Sequence, residues 1–436
     1  MIKIQQASCR PQMTDYDLVI VGAGFSGLNA LAAAVRVSPH LRIAVLEATS
    51  HIGGHWNTAY SFIRLHNQYY SIGEDHGLIG DEGTREEILM YAKRVFDDIM
   101  VRVDVDVTIL WGCCYVSAQV TDDEFLTIQT SNGSLTAYRM INTVRYALPS
   151  FIPKPLGVRP RDLHGQLGSQ RYLVIGSGKT TIDVLCFLSR NSHSAWCTVI
   201  GGTPVAFLNR EVPMAMIVSR ALASLSDVKD SLDPVLDRMC ENGDAFYFMG
   251  QPGTWRYGYS DLREMAQAEG YVDEYIPNMH VEGYSINGNS LDVYIKGGRI
   301  IKYPADTVLV DCRGGLGVIR SYIEDIHTLD CKDRVLNTFL TDQTDTSTSY
   351  TFTGMFLSGE LEKLRIYYPL PLYTGDMTMK SWLSYIVKMG SLRRGTLTSA
   401  ASRQMLGDLG VMDKLRLWWM RDKIIEGKQK IIDNIY

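Results

Sequence analysis

A glycine-rich turn between a short apolar run and a helix-forming run occurs twice in this chain, and nothing else in it constrains the fold as strongly. The first copy, "YDLVIVGAGFSGLNALAAAVRVSPHLRIAVLEA", contains Gly22-Ala23-Gly24-Phe25-Ser26-Gly27. Asp17 to Val21 has the short apolar pattern of a parallel strand buried on both faces. Phe25 to Val37 has the alanine and leucine content of a helix, and Arg42 to Leu46 is apolar and β-branched again. In a G-x-G-x-x-G turn the first glycine permits the bend, the second admits main-chain N–H groups to a pyrophosphate, and the third lets helix and strand approach closely. Glu47, twenty residues after Gly27, ends the second strand, where a carboxylate accepts hydrogen bonds from adenosine ribose hydroxyls.

The second copy, "YLVIGSGKTTID", reads two ways, because Gly178-Lys179-Thr180 also looks like the end of an ATP-binding P-loop. That loop requires a glycine five positions before Gly178, and the position holds Leu173, inside the apolar strand. Gly176-Ser177-Gly178 is therefore a dinucleotide turn with Thr181 at the third glycine position, a branched residue that predicts slightly looser packing of helix on strand. "AWCTVI" is the returning strand, and it ends on Gly201-Gly202 without an acidic residue. A missing carboxylate removes repulsion of a 2'-phosphate, which favours NADPH over NADH. Lys179, Thr180 and Arg210 are candidate contacts, Arg210 either to the cofactor or to a carboxylate.

Two such units predict an α/β fold of two Rossmann-like dinucleotide-binding domains, the second inserted into the first. The segments "INTVRYALPSFIPKP" and "DTVLVDCRGGLG" both read as strands leaving a sheet into Pro- or Gly-rich crossings. They place one domain at residues 14–150 and 305–400, the inserted one at 151–304, and a C-terminal helical segment at 401–436. That last segment suits a helix packed on its own domain or one bound to a membrane surface or partner. A net charge of -5 with no clustered basic stretch argues against a nucleic-acid partner. The eight cysteines form no C-x-x-C pair, so neither a metal site nor a redox-active disulfide is expected. The first sixteen residues lack an apolar signal region, and no apolar run approaches the roughly 20 residues of a membrane span, which predicts a cytoplasmic protein with no integral membrane segment.

After the first unit comes "HIGGHWNTAYSFIRLHNQYY", whose Gly53-Gly54 allows a sharp bend, at a cofactor or at the surface. With GAGFSG, Glu47, the Gly53, Gly54 and Trp56 loop, and the second glycine turn, the chain resembles the class B-like flavin monooxygenases, which carry FAD and NADPH together. The resemblance implies FAD on Gly22, Gly24, Phe25, Ser26, Gly27 and Glu47, with Gly54 and Trp56 against the flavin. It implies NADPH on Gly176, Gly178, Lys179 and Thr180, and an active site in the cleft between the two domains. Asn67 matches by spacing the asparagine near the reactive face of the flavin, with Arg64 and His66 beside it; a turn asparagine and a structural pair remain the alternatives. "YTFTGMFLSGELEK" reads as a strand closing on Gly359-Glu360, where the family places Gly-Asp against the ribityl chain and pyrophosphate.

The implied activity is insertion of one oxygen atom from O2 into a small organic substrate through a flavin C4a-hydroperoxide, by N-, S- or C-oxygenation or a Baeyer-Villiger reaction. The linker before the second turn departs from the family, since of its F-x-G-x-x-x-H marker only His164 is present. This leaves open an NADPH-dependent flavin reductase or dehydrogenase and a non-catalytic nucleotide-sensing flavoprotein. The Tyr-rich segments at residues 245–262 and 364–375 fit an aromatic substrate pocket or ordinary loop packing equally. A homodimer is compatible with the sequence.

Overall fold

A computed structural model describes residues 14–64, 72, 83–102, 104–121, 125–144, 156–225, 233–251, 254–313, 334–337, 353–354 and 356–359. Contacts group the described residues into two units. The first takes in 14–57, 89–144 and the short stretches from 334 onward; the second takes in 58–64, 72, 83–88 and 156–313.

In the first unit β1 (Tyr16–Val21), α1 (Phe25–Val37) and β2 (Arg42–Glu47) form the expected βαβ start. After α2 (Arg85–Met100) come β3 (Asp106–Trp111), β4 (Tyr115–Val120), β5 (Leu126–Thr130) and β6 (Gly133–Asn142). The sheet order is β3-β2-β1-β6-β5-β4. β1 pairs in parallel with both β2 and β6, so both its edges are bonded, and its consecutive residues Leu18, Val19 and Ile20 are fully buried, so both its faces are covered. α1 buries an almost continuous Leu and Ala surface, while α2 turns Tyr91, Ala92, Val95 and Ile99 inward at helical spacing. β4, β5 and β6 make an antiparallel meander.

The second unit repeats the start with β7 (Arg171–Ile175), α3 (Lys179–Asn191) and β8 (Trp196–Ile200). β9 (Val205–Asn209), α4 (Met214–Leu225), α5 (Asp233–Glu241), β10 (Ala245–Tyr247), β11 (Thr254–Ser260), α6 (Leu262–Glu269), β12 (Glu274–Ile276), β13 (Val281–Asn287), β14 (Ser290–Ile295), β15 (Arg299–Pro304) and β16 (Val308–Asp311) follow. They form a parallel sheet β12-β8-β7-β16, a small sheet β10-β9-β11 and a meander of β13, β14 and β15. The first Tyr-rich segment thus supplies β10 and β11; the second lies outside the described residues.

One boundary and one element differ from the sequence reading. Residues from 305 were expected back in the first domain, but β16 pairs with β7, and Val158 bridges to Val310, so this strand completes the second sheet. The reason is local burial: Leu309 and Val310 pack into the second unit's own core. Return to the first sheet is made by β17 (Val335–Asn337), parallel to β6. The apolar run before Gly359 was expected as a strand, yet residues 353–354 and 356–357 are helical. Thr353 and Phe356, three residues apart, are both buried, and the Arg139 guanidinium donates to the Phe356 and Leu357 carbonyls at 3.3 and 3.5 Å, satisfying the end of the turn.

Cys113, Cys186, Cys197 and Cys312 are buried free thiols, and burial pushes the Cys186 and Cys197 thiols up to about 12. Among the described residues no group of side chains has metal-ligand geometry, and no helix is long and apolar enough to cross a membrane. The C-terminal segment 401–436 lies outside them.

Candidate functional site

The first turn has the geometry that close backbone approach demands. Gly22 takes a φ of +95°, a region costly for a side chain, and its N–H donates to the Leu46 carbonyl at 2.8 Å. A Cβ on Gly27 would stand 1.9 Å from the Gly22 carbonyl oxygen, so only glycine lets α1 lie this close to the turn. Gly24 is the N-cap of α1 and offers no side-chain cap, and no acidic residue occupies the first helical turn. Neither the cap nor the first turn places a carboxylate against the positive end of the helix.

Glu47 is buried, and its carboxylate accepts from the Ala23 N–H at 2.8 Å, from the Thr49 N–H at 2.9 Å and from the Thr49 hydroxyl at 2.8 Å. It binds the strand end to the turn, which leaves it about one further acceptor position for a ribose hydroxyl. The Gly53-Gly54 loop is laid against the same turn. The Gly53 N–H donates to the Ala23 carbonyl at 2.9 Å, and a Cβ on Gly54 would stand 3.0 Å from the Gly24 Cα. Trp56 and Phe25 turn their rings into the core, with ring centroids 6.4 Å apart, and Phe25 stacks on Tyr91. Both side chains help anchor the loop and the helix. Ser26 is half-buried in the first turn of α1.

The second turn aligns with the first residue for residue. α1 and α3 are both 13 residues long, and Gly24 and Gly178 cap them alike. Space around Gly178 is open, with nothing within 4 Å of a Cβ built there. Thr181, wholly buried, occupies the position at which the first turn has room only for glycine, so α3 stands farther from its turn than α1 does.

Lys179, expected to contact a phosphate, is paired with two carboxylates. Its ammonium is 2.5 Å from Asp183 Oδ1 and 3.2 Å from Glu264 Oε2, and the side chain is largely buried. Arg210 is likewise committed: its guanidinium pairs with Asp261 and reaches Glu264 Oε2 at 3.4 Å, which settles its alternatives in favour of a carboxylate. The Tyr60 hydroxyl donates to Asp183 Oδ2 at 2.6 Å, and the Ser260 hydroxyl to Glu264 Oε2 at 3.1 Å. Two cations thus face three carboxylates in one hydrogen-bonded cluster. Burial raises the Asp183 carboxyl, against the pull of Lys179 and Tyr60. Burial alone lowers the Lys179 ammonium, but Asp183 and Glu264 outweigh it and raise it. Lys179 sits in the first helical turn, where the helix dipole disfavours a cation, so the carboxylates are what hold it there. Thr180, half-buried, follows it in the same helical turn.

Of the predicted catalytic residues, Arg64 is half-buried, bridges to Thr84, and helps keep the Glu87 carboxyl low behind the stronger effect of Thr84. His66 and Asn67 lie outside the described residues, as does Glu360. Gly359 follows the helical turn with a φ of +80°. His164 bonds to Ser61 at 2.7 Å and stands edge-on to Phe187, and the marker positions before it are Val158 and Pro160. Tyr60, Asp183 and Glu264 were not anticipated. Asp183 is legible four residues after Lys179 on the helix, but Glu264 is brought in only by tertiary folding.

A family profile described as an NAD(P)-binding Rossmann-like domain matches residues 20–71. An uncharacterised protein of Mycobacterium tuberculosis is 30% identical over 206 residues, which cover 41% of this chain and 36% of that relative's length. Among solved structures, a flavin-containing monooxygenase from Stenotrophomonas maltophilia shares 16% identity over 81% of this chain and 98% of its own, with a TM-score of 0.51. A cyclohexanone monooxygenase from Rhodococcus sp. Phi1 bound to NADP+ shares 14% identity over 80% of this chain and 85% of its own, also at 0.51. The chain therefore has the α/β fold of two-dinucleotide flavoproteins, with Rossmann-like domains as expected.

Proposed function

We propose that this chain is an FAD-dependent, NADPH-consuming monooxygenase that inserts one atom of O2 into a small organic substrate. One observation carries the reading: two aligned βαβ turns, each opening a helix with a glycine at its N-cap, one ending its second strand on Glu47 and the other following its second strand with Gly201. A carboxylate suits the unphosphorylated ribose of FAD, and its absence suits the 2'-phosphate of NADPH. The fold likeness to monooxygenases supports the same choice.

The residues present fit FAD at the first turn. Gly22, Gly24 and Gly27 would admit the pyrophosphate to the start of α1, Glu47 would accept from the adenosine ribose, and the Gly53-Gly54 backbone would lie along the cofactor. Bound FAD supplies the redox chemistry: two electrons come from NADPH, one oxygen atom goes to the substrate, and the other leaves as water. At the second turn Gly176 and Gly178 would receive the NADPH pyrophosphate, while Lys179 and Arg210 keep the buried carboxylates neutralised. Asn67, Arg64 and His66 remain the candidates beside the flavin.

A second reading, an NADPH-dependent flavin reductase, is favoured by Val158 and Pro160 in place of the marker phenylalanine and glycine. Both readings require that NADPH, mixed without air with the FAD-reconstituted protein, bleach the yellow of the bound flavin, and at lower concentration than NADH does. A protein that retains no FAD, or whose flavin stays oxidised, would remove both.

A further inference from the structure

The alignment of the two turns extends past the helices to the ends of β2 and β8, and there the two sites differ in charge. Glu47 lies twenty residues after Gly27; Gly201 lies twenty after Thr181. In the first site the Glu47 carboxylate ties strand end to turn through the Ala23 N–H. In the second the counterpart of Ala23 is Ser177, whose hydroxyl donates to the Thr203 carbonyl at 2.9 Å and makes the tie without an acid. A side chain at Gly201 would also require Tyr275 to shift, because a Cβ there would stand 2.8 Å from its hydroxyl oxygen.

The next residue, Gly202, faces a different group. A Cβ built there would stand 3.4 Å from His280 Cε1 and 3.5 Å from Nδ1. Main-chain bonds hold this histidine at the strand end: Asn278 N–H to the Gly202 carbonyl at 3.0 Å, Met279 N–H to the Gly201 carbonyl at 2.9 Å, and Lys296 N–H to the His280 carbonyl at 2.8 Å. The imidazole is exposed, and its nitrogens bond to no described residue. Two exposed cations come from the adjoining strands: Lys296, just after β14, whose N–H bonds to the His280 carbonyl, and Arg299, the first residue of β15, which reaches the Met279 sulfur at 4.0 Å. The nearest acid on β12, Glu274, accepts from the Thr198 hydroxyl at 3.2 Å, three residues before Gly201.

We propose that His280 is the specificity-determining residue of the second site, binding the adenosine 2'-phosphate of the nicotinamide cofactor beside the side-chain-free strand end of Gly201 and Gly202. The assignment rests on the reading of that turn as the NADPH site. A ring N–H directed at a phosphate oxygen makes a charge-assisted bond that an unphosphorylated ribose does not offer. Lys179, the residue suggested by the Gly-Lys-Thr spelling, is occupied by Asp183 and Glu264, so the recognising group comes from another loop.

The test titrates the FAD-saturated protein calorimetrically with 2',5'-ADP and with ADP, so that the first site is filled and turnover plays no part. Wild type should bind 2',5'-ADP at least about tenfold more tightly than ADP. His280→Ala should erase that preference with ADP affinity held within about twofold, and His280→Arg should restore it. A His280→Ala protein that keeps the wild-type ratio, or a wild type that binds both nucleotides equally, overturns the proposal alone. A wild type that binds neither overturns the reading of the second turn, and the proposal falls with it.

Discussion

Gly27→Ala is expected to leave the first unit unable to retain FAD and to lower its stability by about 2–3 kcal/mol. The added methyl would lie 1.9 Å from the Gly22 carbonyl oxygen and 3.2 Å from the Thr143 hydroxyl. Neither the main chain of the turn nor a hydroxyl bonded at 2.7 Å to the Val21 carbonyl yields like the end of a flexible side chain. The helix must move off the strand instead, and it carries with it the N–H groups that face the pyrophosphate. Each 1.4 kcal/mol lost to this shift weakens binding about tenfold. The control is Thr181→Ala at the equivalent position of the second turn, where a side chain is already accommodated, and nucleotide binding there should persist. Flavin content after reconstitution and thermal unfolding check both; a Gly27→Ala protein with a full complement of flavin would contradict the close-packing argument.

Lys179→Met is expected to destabilise the second unit by about 3 kcal/mol, because removing one partner leaves buried Asp183 and Glu264 short of a cation. For a unit of this size Tm should fall by roughly 6–12 °C. The pH dependence identifies the cause. Lys179 has a folded pKa above its ordinary 10.5, so its stabilisation is complete below that value and is lost as pH rises through the folded one. Wild type should therefore lose stability in alkali, and Lys179→Met should lack that loss. Asp183 is already raised by burial, and without Lys179 it rises further. A raised carboxyl contributes most below its unfolded pKa, so the variant should recover stability toward acid, and the double variant Lys179→Met with Asp183→Asn should recover it at neutral pH. The ratio of NADPH to NADH affinity should be unchanged in Lys179→Met. A tenfold loss confined to NADPH would restore Lys179 as a phosphate ligand.

Both βαβ starts are legible in the sequence nearly to the residue, because glycine spacing, apolar runs and helix formers there all point the same way. Lys179 is misleading for a physical reason. Its neighbours Gly178 and Thr180 spell a phosphate turn, while the groups that claim its charge, Asp183 and Glu264, lie one helical turn and 85 residues away. Short apolar runs are the other weak point, since such a run suits either a buried strand or a buried helix. The run before Gly359 is helical at residues 353–354 and 356–357, where Thr353 and Phe356 are buried together and Arg139 satisfies the free carbonyls. "DTVLVDC" is a strand as expected, but only its pairing with β7 reveals which sheet it joins. The exchange of Glu47 for Gly201 is visible in the sequence; the placement of His280 over Gly202 is not, because it depends on main-chain bonds across more than seventy residues.

Electrons taken from NADPH are expected to end in an oxygenated organic product. The direct measurement supplies isotopically heavy dioxygen to the FAD-reconstituted protein with NADPH and a panel of amines, sulfides and ketones, and follows product mass together with hydrogen peroxide. A monooxygenase places one heavy oxygen atom in the product for each NADPH consumed with at least one member of the panel. NADPH oxidation that returns all the oxygen as peroxide with every member, and labels none, would contradict the account and leave a flavin reductase in its place.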